Sequence, residues 1–373
     1  MSKILYSLCG DGRGHATRVR TIVEELRHDN DIVIYAPQDA YDLLSPIYQD
    51  TGVEVRRIPC LHLLYNSRQK IHYWKTIWHG LNFFYQAPGL IQQLQHEIER
   101  EEPDLIITDY EPLLPRAASQ YDIPHISLNH QHFLIACDLS SLPPYLKGHS
   151  IFMRNVVNLY SKNHDETIIS SFYFPPLKPG FEYCTQIGVL LRSEIVQARI
   201  EHGDHIVVYL RRYATPSVLR ALQGCGCDVR IYGLGALPST GSLRFFAIDP
   251  YRFIEDLATS RALVCTAGNQ LVGESFFLEK PVLAMPEHRN YEQHINAYFV
   301  KESKGGMIAD INTITAEQLK NFLDRADEYR SHIDRYRQYG NPAALAVINR
   351  YLPNSKGIFA PRCFYASQAE LSL

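Results

Sequence analysis

Short apolar runs alternate with amphipathic stretches twice along this chain, and that alternation leaves few folds open. Residues 3–8, 31–36, 53–59, 104–109 and 123–128 read as strands. Between them, 16–27 places Val19, Ile22, Val23 and Leu26 on one helical face, and 90–100 does the same with Leu90, Ile91, Leu94 and Ile98. A second series has strands at 205–211, 228–233, 243–248, 262–267 and 281–286, with helical patterns at 315–326, 327–339 and 342–351. Nearly continuous apolar strands separated by helices call for parallel sheets covered on both faces and joined by right-handed crossovers. The pattern predicts an α/β protein of two Rossmann-like, doubly wound domains facing across a cleft. Ligands would sit at the carboxyl ends of the strands. The rhythm breaks near 186–194, so the domains are placed at 1–187 and 188–341. A closing helix at 342–354 and a tail at 355–373, expected to be disordered, follow.

Composition excludes several roles. The formal charge is -3, with no Lys/Arg run, so nucleic acid is not an expected partner. The start, Met1-Ser2-Lys3-Ile4, runs straight into a strand and does not read as a signal peptide. No apolar run approaches the ~20 residues of a membrane span. A cytoplasmic protein is expected, with contact at a membrane surface left open. The eight cysteines are scattered, and Cys225-Gly226-Cys227 has no second pair to complete a zinc site. Neither a metal nor another cofactor is expected.

The densest chemistry lies in Cys265-Thr266-Ala267-Gly268-Asn269-Gln270-Leu271-Val272-Gly273-Glu274, followed by Lys280-Pro281-Val282-Leu283-Ala284-Met285-Pro286 and Glu292-Gln293-His294-Ile295-Asn296-Ala297. This reads as strand, glycine turn, helix, strand and a polar helix start. Bare amides at the turn, with the positive end of the helix dipole, can hold a diphosphate. Glu274, in the second helical turn, can accept from both hydroxyls of a ribose. Glu292 and Gln293 fall where a sugar on that diphosphate would hang. The plainer alternatives are a solvated acid and ordinary helix-start residues.

A second glycine loop, Cys9-Gly10-Asp11-Gly12-Arg13-Gly14-His15, follows the first strand. Its spacing lacks the last glycine of a dinucleotide fingerprint, and no ribose-binding acid ends the second strand. The loop's other use is to bring bare backbone and His15 close to a substrate, where an imidazole can take a proton. Capping the helix is the alternative role for His15.

Together these motifs resemble a two-domain nucleotide-sugar glycosyltransferase of the GT-B architecture. They are most similar to the branch containing the lipid II-forming cell-wall N-acetylglucosaminyltransferase. The likeness rests on Gly12-Arg13-Gly14-His15, Phe253-Ile254-Glu255-Asp256-Leu257, Ala267-Gly268 with Glu274, Lys280-Pro281-Val282-Leu283, and Glu292-Gln293 with Asn296-Ala297. It implies an inverting transfer without a bound metal, from a nucleoside-diphosphate sugar, UDP-linked by analogy, to a hydroxyl acceptor. By the same resemblance, backbone near Ile254 contacts the base. Gly268, Asn269 and Gln270 lie on the diphosphate, Glu274 on the ribose, and Glu292 and Gln293 on the sugar. His15 becomes the general base and Asp109 its partner, with Glu111 as the substitute; Asp109 capping the next helix is the plainer reading.

The chain departs from the family where a phosphate-binding glycine loop would follow the first strand of the second domain. Here it reads Tyr209-Leu210-Arg211-Arg212. Either arginine could bind a phosphate in place of amides, or the segment is a surface turn. Asp11 and Arg13 also make the first loop bulkier than the family's.

On the acceptor side, residues 61–88 carry Trp74, Trp78, Phe83, Phe84 and Tyr85 among Lys70, His72, Lys75 and His79. They suit either core packing or a surface for a lipid-linked acceptor; glycan and small-molecule acceptors stay open too. His130-Gln131-His132 opens toward the same cleft. The competing functions are a non-hydrolysing sugar-nucleotide epimerase on the same frame and a nucleotide-sugar-binding protein without catalysis.

Overall fold

The computed structural model describes residues 1–10, 13–60, 73–160, 164–211 and 214–352. Seven parallel strands make the first sheet: β1 (Ser2–Leu8), β2 (Asn30–Ala36), β3 (Glu54–Arg57), β4 (Leu105–Asp109), β5 (His125–Asn129), β6 (Glu166–Ser170) and β7 (Cys184–Ile187), in the order β3-β2-β1-β4-β5-β6-β7. Six parallel strands make the second: β8 (Ile206–Tyr209), β9 (Val229–Tyr232), β10 (Leu243–Phe246), β11 (Ala262–Cys265), β12 (Val282–Ala284) and β13 (Gly306–Ile308), in the order β10-β9-β8-β11-β12-β13. Both sheets are α/β and doubly wound. Every residue of β4 and β5 is buried, which is why these strands read as unbroken runs rather than alternating ones.

Strand order reverses between β1 and β4 in the first sheet and between β8 and β11 in the second. A crevice opens at such points, because the loops on either side depart to opposite faces. The two sheets pack through a mixed interface. Tyr173 stacks on Phe299 at 3.9 Å and 11°, and His149 on Tyr291 at 3.7 Å and 14°.

The chain crosses between the sheets twice, and the crossings are bonded to each other. Gly340 N–H donates to the Val189 carbonyl at 3.0 Å, and the Asn341 side chain pairs with both backbone groups of Leu191 at 2.8 Å. The final helix, Asn341–Asn349, returns to the first core, where Ala344, Val347 and Ile348 pack with Ile4, Tyr6 and Ile126.

Several elements differ from the sequence expectation. β6, β7, β13 and the helix Gln38–Tyr48 were not expected. The helix predicted at 90–100 runs from Tyr73 to Glu101, because Pro88 is carried inside it. The helix predicted at 327–339 splits into Ala326–Ser331 and a 3₁₀ turn, Tyr336–Gln338. The tail 355–373 lies outside the described residues.

Candidate active site

The carboxyl ends of β1 and β4 lie side by side, and each delivers a functional group to the crevice. The helix Arg13–Leu26 opens just beyond β1 and carries His15 in its first turn; Asp109 is the last residue of β4. His15 Nδ1 lies 2.9 Å from Asp109 Oδ1, although the residues are 94 apart in sequence. His15 is 7% exposed and Asp109 not at all. Tyr110 follows at φ 56, a left-handed turn that is costly for a side-chain-bearing residue and commonest at functional sites.

A third member was not expected. Arg18 stands one helical turn after His15 and grips Asp109 with both arms of a fork, Nε to Oδ2 at 3.0 Å and Nη2 to Oδ1 at 2.9 Å. Nη2 also lies 2.9 Å from His15 Nδ1. Burial by itself would raise the Asp109 carboxyl; the charge of Arg18, with the hydrogen bonds from His15 and Arg18, outweighs it and holds the group below the usual carboxylate range. In the sequence, the i, i+3 spacing of His15 and Arg18 on one helical face was the available signal.

The second crevice is built around the turn after β11. Residues 262–267 are buried, Gly268 is exposed, and Asn269 and Gln270 are buried again. Gly268 is the N-cap of the helix Asn269–Phe277 and has open space where a Cβ would stand. It brings no side chain to the free amides of the first helical turn. Ala267, at φ 62, forces the bend, and Asn296 Nδ2 holds its carbonyl at 2.9 Å.

The side chains of Asn269 and Gln270 point away from this turn. Asn269 is bonded to Ser170, Ser171 and Phe172 of the first domain, and Gln270 Nε2 donates to the Leu190 carbonyl at 2.7 Å. Only their backbone is left for a phosphate. Glu274 is buried and accepts from Gln270 Nε2 at 3.1 Å and from Arg192 Nη2 at 3.3 and 3.4 Å. Gln293 ties the Thr266 hydroxyl to the Glu287 amide. Glu292 is exposed, and its charge acts across the domains on Arg18. The two crevices meet here: a Cβ on Gly14 would lie 3.8 Å from that of Gln270.

Other predicted residues fall elsewhere. Glu111 cannot stand in for Asp109, because both its oxygens accept from the Leu113 and Leu114 amides, at 2.6 and 2.8 Å. Burial raises its carboxyl even so. His130 does not line an open surface. It is buried between Phe133 and Tyr173, and burial, then the charge of Arg18, pushes its imidazole down to about 3. The Ile254 side chain belongs to the core, leaving only its backbone for a base. Arg211 is half-buried just past β8, beside the second reversal of strand order, while Gly12 and Arg212 lie outside the described residues.

Of the aromatic segment, 61–72 lies outside the described residues. Phe83 is core, whereas Trp78 and Tyr85 are exposed, as are Tyr145, Ile151 and Phe152 on the helix Pro144–Tyr160. Among the described residues, no helix is long and apolar enough to cross a membrane, and no three His, Cys, Asp or Glu side chains gather as metal ligands.

Comparison with known proteins places these features in a family. The model of a family described as glycosyl transferase family 1 matches residues 2–327. An uncharacterized glycosyltransferase from Methanosarcina acetivorans is 21% identical over 368 residues, spanning 89% of this chain and 93% of that protein. One from Methanosarcina mazei is 22% identical, with the same coverage of 89% and 93%. Among solved structures, the calicheamicin glycosyltransferase CalG4 is similar with a TM-score of 0.66 at 18% identity, covering 94% of this chain and 98% of that one. Arabidopsis thaliana UGT89C1 complexed with quercetin gives a TM-score of 0.62 at 14% identity, covering 93% and 98%. The fold common to these structures is GT-B. With that fold, and with the family model matched over most of its length, the chain belongs to glycosyl transferase family 1 and is a GT-B glycosyltransferase.

Proposed function

We propose that the protein carries out an inverting, metal-independent transfer of a sugar from a nucleoside diphosphate, UDP by preference, to an acceptor hydroxyl. The observation that carries this reading is the His15–Asp109 contact of 2.9 Å at one strand-order reversal, set opposite the bare Gly268 turn at the other. Attack at the anomeric carbon needs a hydroxyl that loses its proton as the bond forms. Of the two groups 2.9 Å from His15 Nδ1, Asp109 Oδ1 can only accept and Arg18 Nη2 can only donate; with the ring proton on Nδ1 and directed to Asp109, Nε2 is the nitrogen left to take the acceptor's proton. The leaving diphosphate needs fixed positive potential, and the amides and dipole of the helix Asn269–Phe277 supply it, with Arg211 within the same crevice.

Glu274 is assigned to the ribose. A carboxylate has about four lone-pair sites, and the long Arg192 contacts yield to ribose hydroxyls. Glu292 and Gln293 are assigned to the sugar. The N-terminal domain, to about residue 187, would take the acceptor, and 188–341 the donor. The exposed Trp78, Tyr85, Tyr145, Ile151 and Phe152 favour a hydrophobic or lipid-linked acceptor reached from a membrane surface. The motifs between 250 and 310 favour the lipid II-forming branch as the nearest functional model.

Calorimetric titration of wild type and Glu274→Ala with UDP-, GDP- and dTDP-sugars, in EDTA, tests the donor half. Binding of one nucleotide class that weakens at least tenfold in Glu274→Ala is the expected result. Failure of the wild type to bind any member of the panel would remove this function.

A further inference from the structure

Asp109 carries a negative charge with none of its surface exposed, and such a charge is tolerated only beside a positive one. Two neighbours could supply it. One is His15, by taking a proton and becoming imidazolium; the other is Arg18. Arg18 already does so in the stronger geometry, a bidentate fork of 2.9 and 3.0 Å on both carboxylate oxygens, and is itself only 3% exposed. Its Nη2 stands 2.9 Å from His15 Nδ1, so an imidazolium there would set one cation against another.

We propose that Arg18 is a positioning residue of the transfer reaction: it serves as the counter-ion of Asp109 so that His15 stays neutral and free to accept the acceptor's proton. The proposal rests on the reading of His15 as the base. Arg18 touches no substrate in this scheme and acts through Asp109.

The charge count around the imidazole supports it. Arg18 and Asp109 cancel. Tyr6, beneath them on β1, keeps its proton because burial and then the charge of Asp109 raise its phenol. His130, behind them, is neutral through burial. Glu292, from the other domain, acts on Arg18 but is exposed, so solvent weakens its charge. No other charge is buried with His15 among these groups, so removing Arg18 leaves Asp109 to be matched by a proton on His15 or on itself. Either outcome spoils the base. A purely structural arginine would leave the protonation of His15 unaffected.

The test reads the His15 ring nitrogens by ¹⁵N NMR at pH 7 in the full-length protein, with His15→Asn to assign them. Wild type and Arg18→Lys should show one protonated and one bare nitrogen. In Arg18→Gln, which keeps a donor but no charge, the dyad should gain a proton. With the donor in hand, kcat/KM of Arg18→Gln should fall about 10–100-fold at pH 7 and recover most of that loss near pH 9, while donor Kd changes less than about threefold. Arg18→Lys, which keeps the charge but not the fork, should lose less than Arg18→Gln at pH 7. Imidazolium in the wild type at pH 7, no added proton in Arg18→Gln on either the His15 ring or the Asp109 carboxyl (read by ¹³C NMR), or a loss equal at both pH values would overturn the proposal. The NMR arm needs no turnover, so it stands even if the protein binds no nucleotide sugar.

Discussion

At the residue scale, the site is a small buried charge cluster whose members depend on one another. Replacing Asp109 by Asn removes the anion that neutralises buried Arg18. The expected cost is about 3–5 kcal/mol of stability, the usual penalty for orphaning one partner of a buried pair. Urea midpoints would measure it, and a loss under 1 kcal/mol would mean that the fork contributes little. His15 was legible in the sequence because it opens a helix just after a strand and a glycine loop; Asp109 entered as its partner through the family resemblance, as the acid that ends a later strand. Arg18 was not legible as the partner of Asp109: the two are 91 residues apart, and only the pairing of β1 with β4 brings them together. Glu111 was the named substitute for Asp109, and His130 was expected to line the cleft. Their fates were decided by local bonding, two backbone amides for one and a packed aromatic interface for the other.

At the scale of elements, the turns at the two strand-order reversals store backbone strain, and the segments joining the domains tolerate no added bulk. Ala267 sits at φ 62. Glycine there relieves about 1 kcal/mol, so Ala267→Gly should melt at or slightly above wild type, whereas Ala267→Val should melt several degrees lower. Gly340 is tighter still. A Cβ would fall 2.2 Å from the Gly188 carbonyl oxygen. Gly340→Ala should cost at least about 1–3 kcal/mol by pushing the two crossings apart, readable as a lowered urea midpoint.

His132, in the segment after β5, gives a pH signature. Its folded imidazole is pushed down to about 3, chiefly by burial, so the unfolded chain holds the extra proton between about 6.5 and that value. Stability from this group is present above about pH 6.5 and lost as pH falls, by up to about 1.4 kcal/mol per unit. The stability gap between wild type and His132→Asn should therefore narrow from pH 7 to pH 5; a constant gap would argue against it.

Elements with strong apolar runs were readable at this scale, as the core strands show. β6, β7 and β13 are short and flanked by polar or proline-rich sequence, so no run announces them. The helix Gln38–Tyr48 was hidden by Pro46, and the long helix Tyr73–Glu101 by Pro88. Proline signals a break from local sequence; here the remaining helical bonds and packing override it.

At the scale of the whole molecule, two doubly wound sheets bring the His15–Asp109 pair and the bare helix end at Gly268 to the same crevice. On the proposed function, each sheet alone holds half of the transfer site. The double crossing at 188–192 and 338–341, fixed by Asn341, sets how the halves meet. Asn341→Ala should leave each core folded yet loosen their alignment, lowering kcat more than donor affinity. Steady-state kinetics set beside calorimetry would show it, and an unchanged kcat would mean that the alignment is held elsewhere. The two-sheet architecture was legible because alternation is a whole-chain pattern. The closeness of the halves was not, because it depends on side chains such as Asn269 and Gln270 reaching into the other domain.

The most direct measurement is release of nucleoside diphosphate from the bound donor by wild type and His15→Asn, in the presence of a hydrophobic acceptor and with donor Kd determined for both. Unchanged donor affinity with release slowed about 10²–10⁴-fold in His15→Asn is the predicted result. Equal rates in the two proteins would contradict the assignment of His15 as the base.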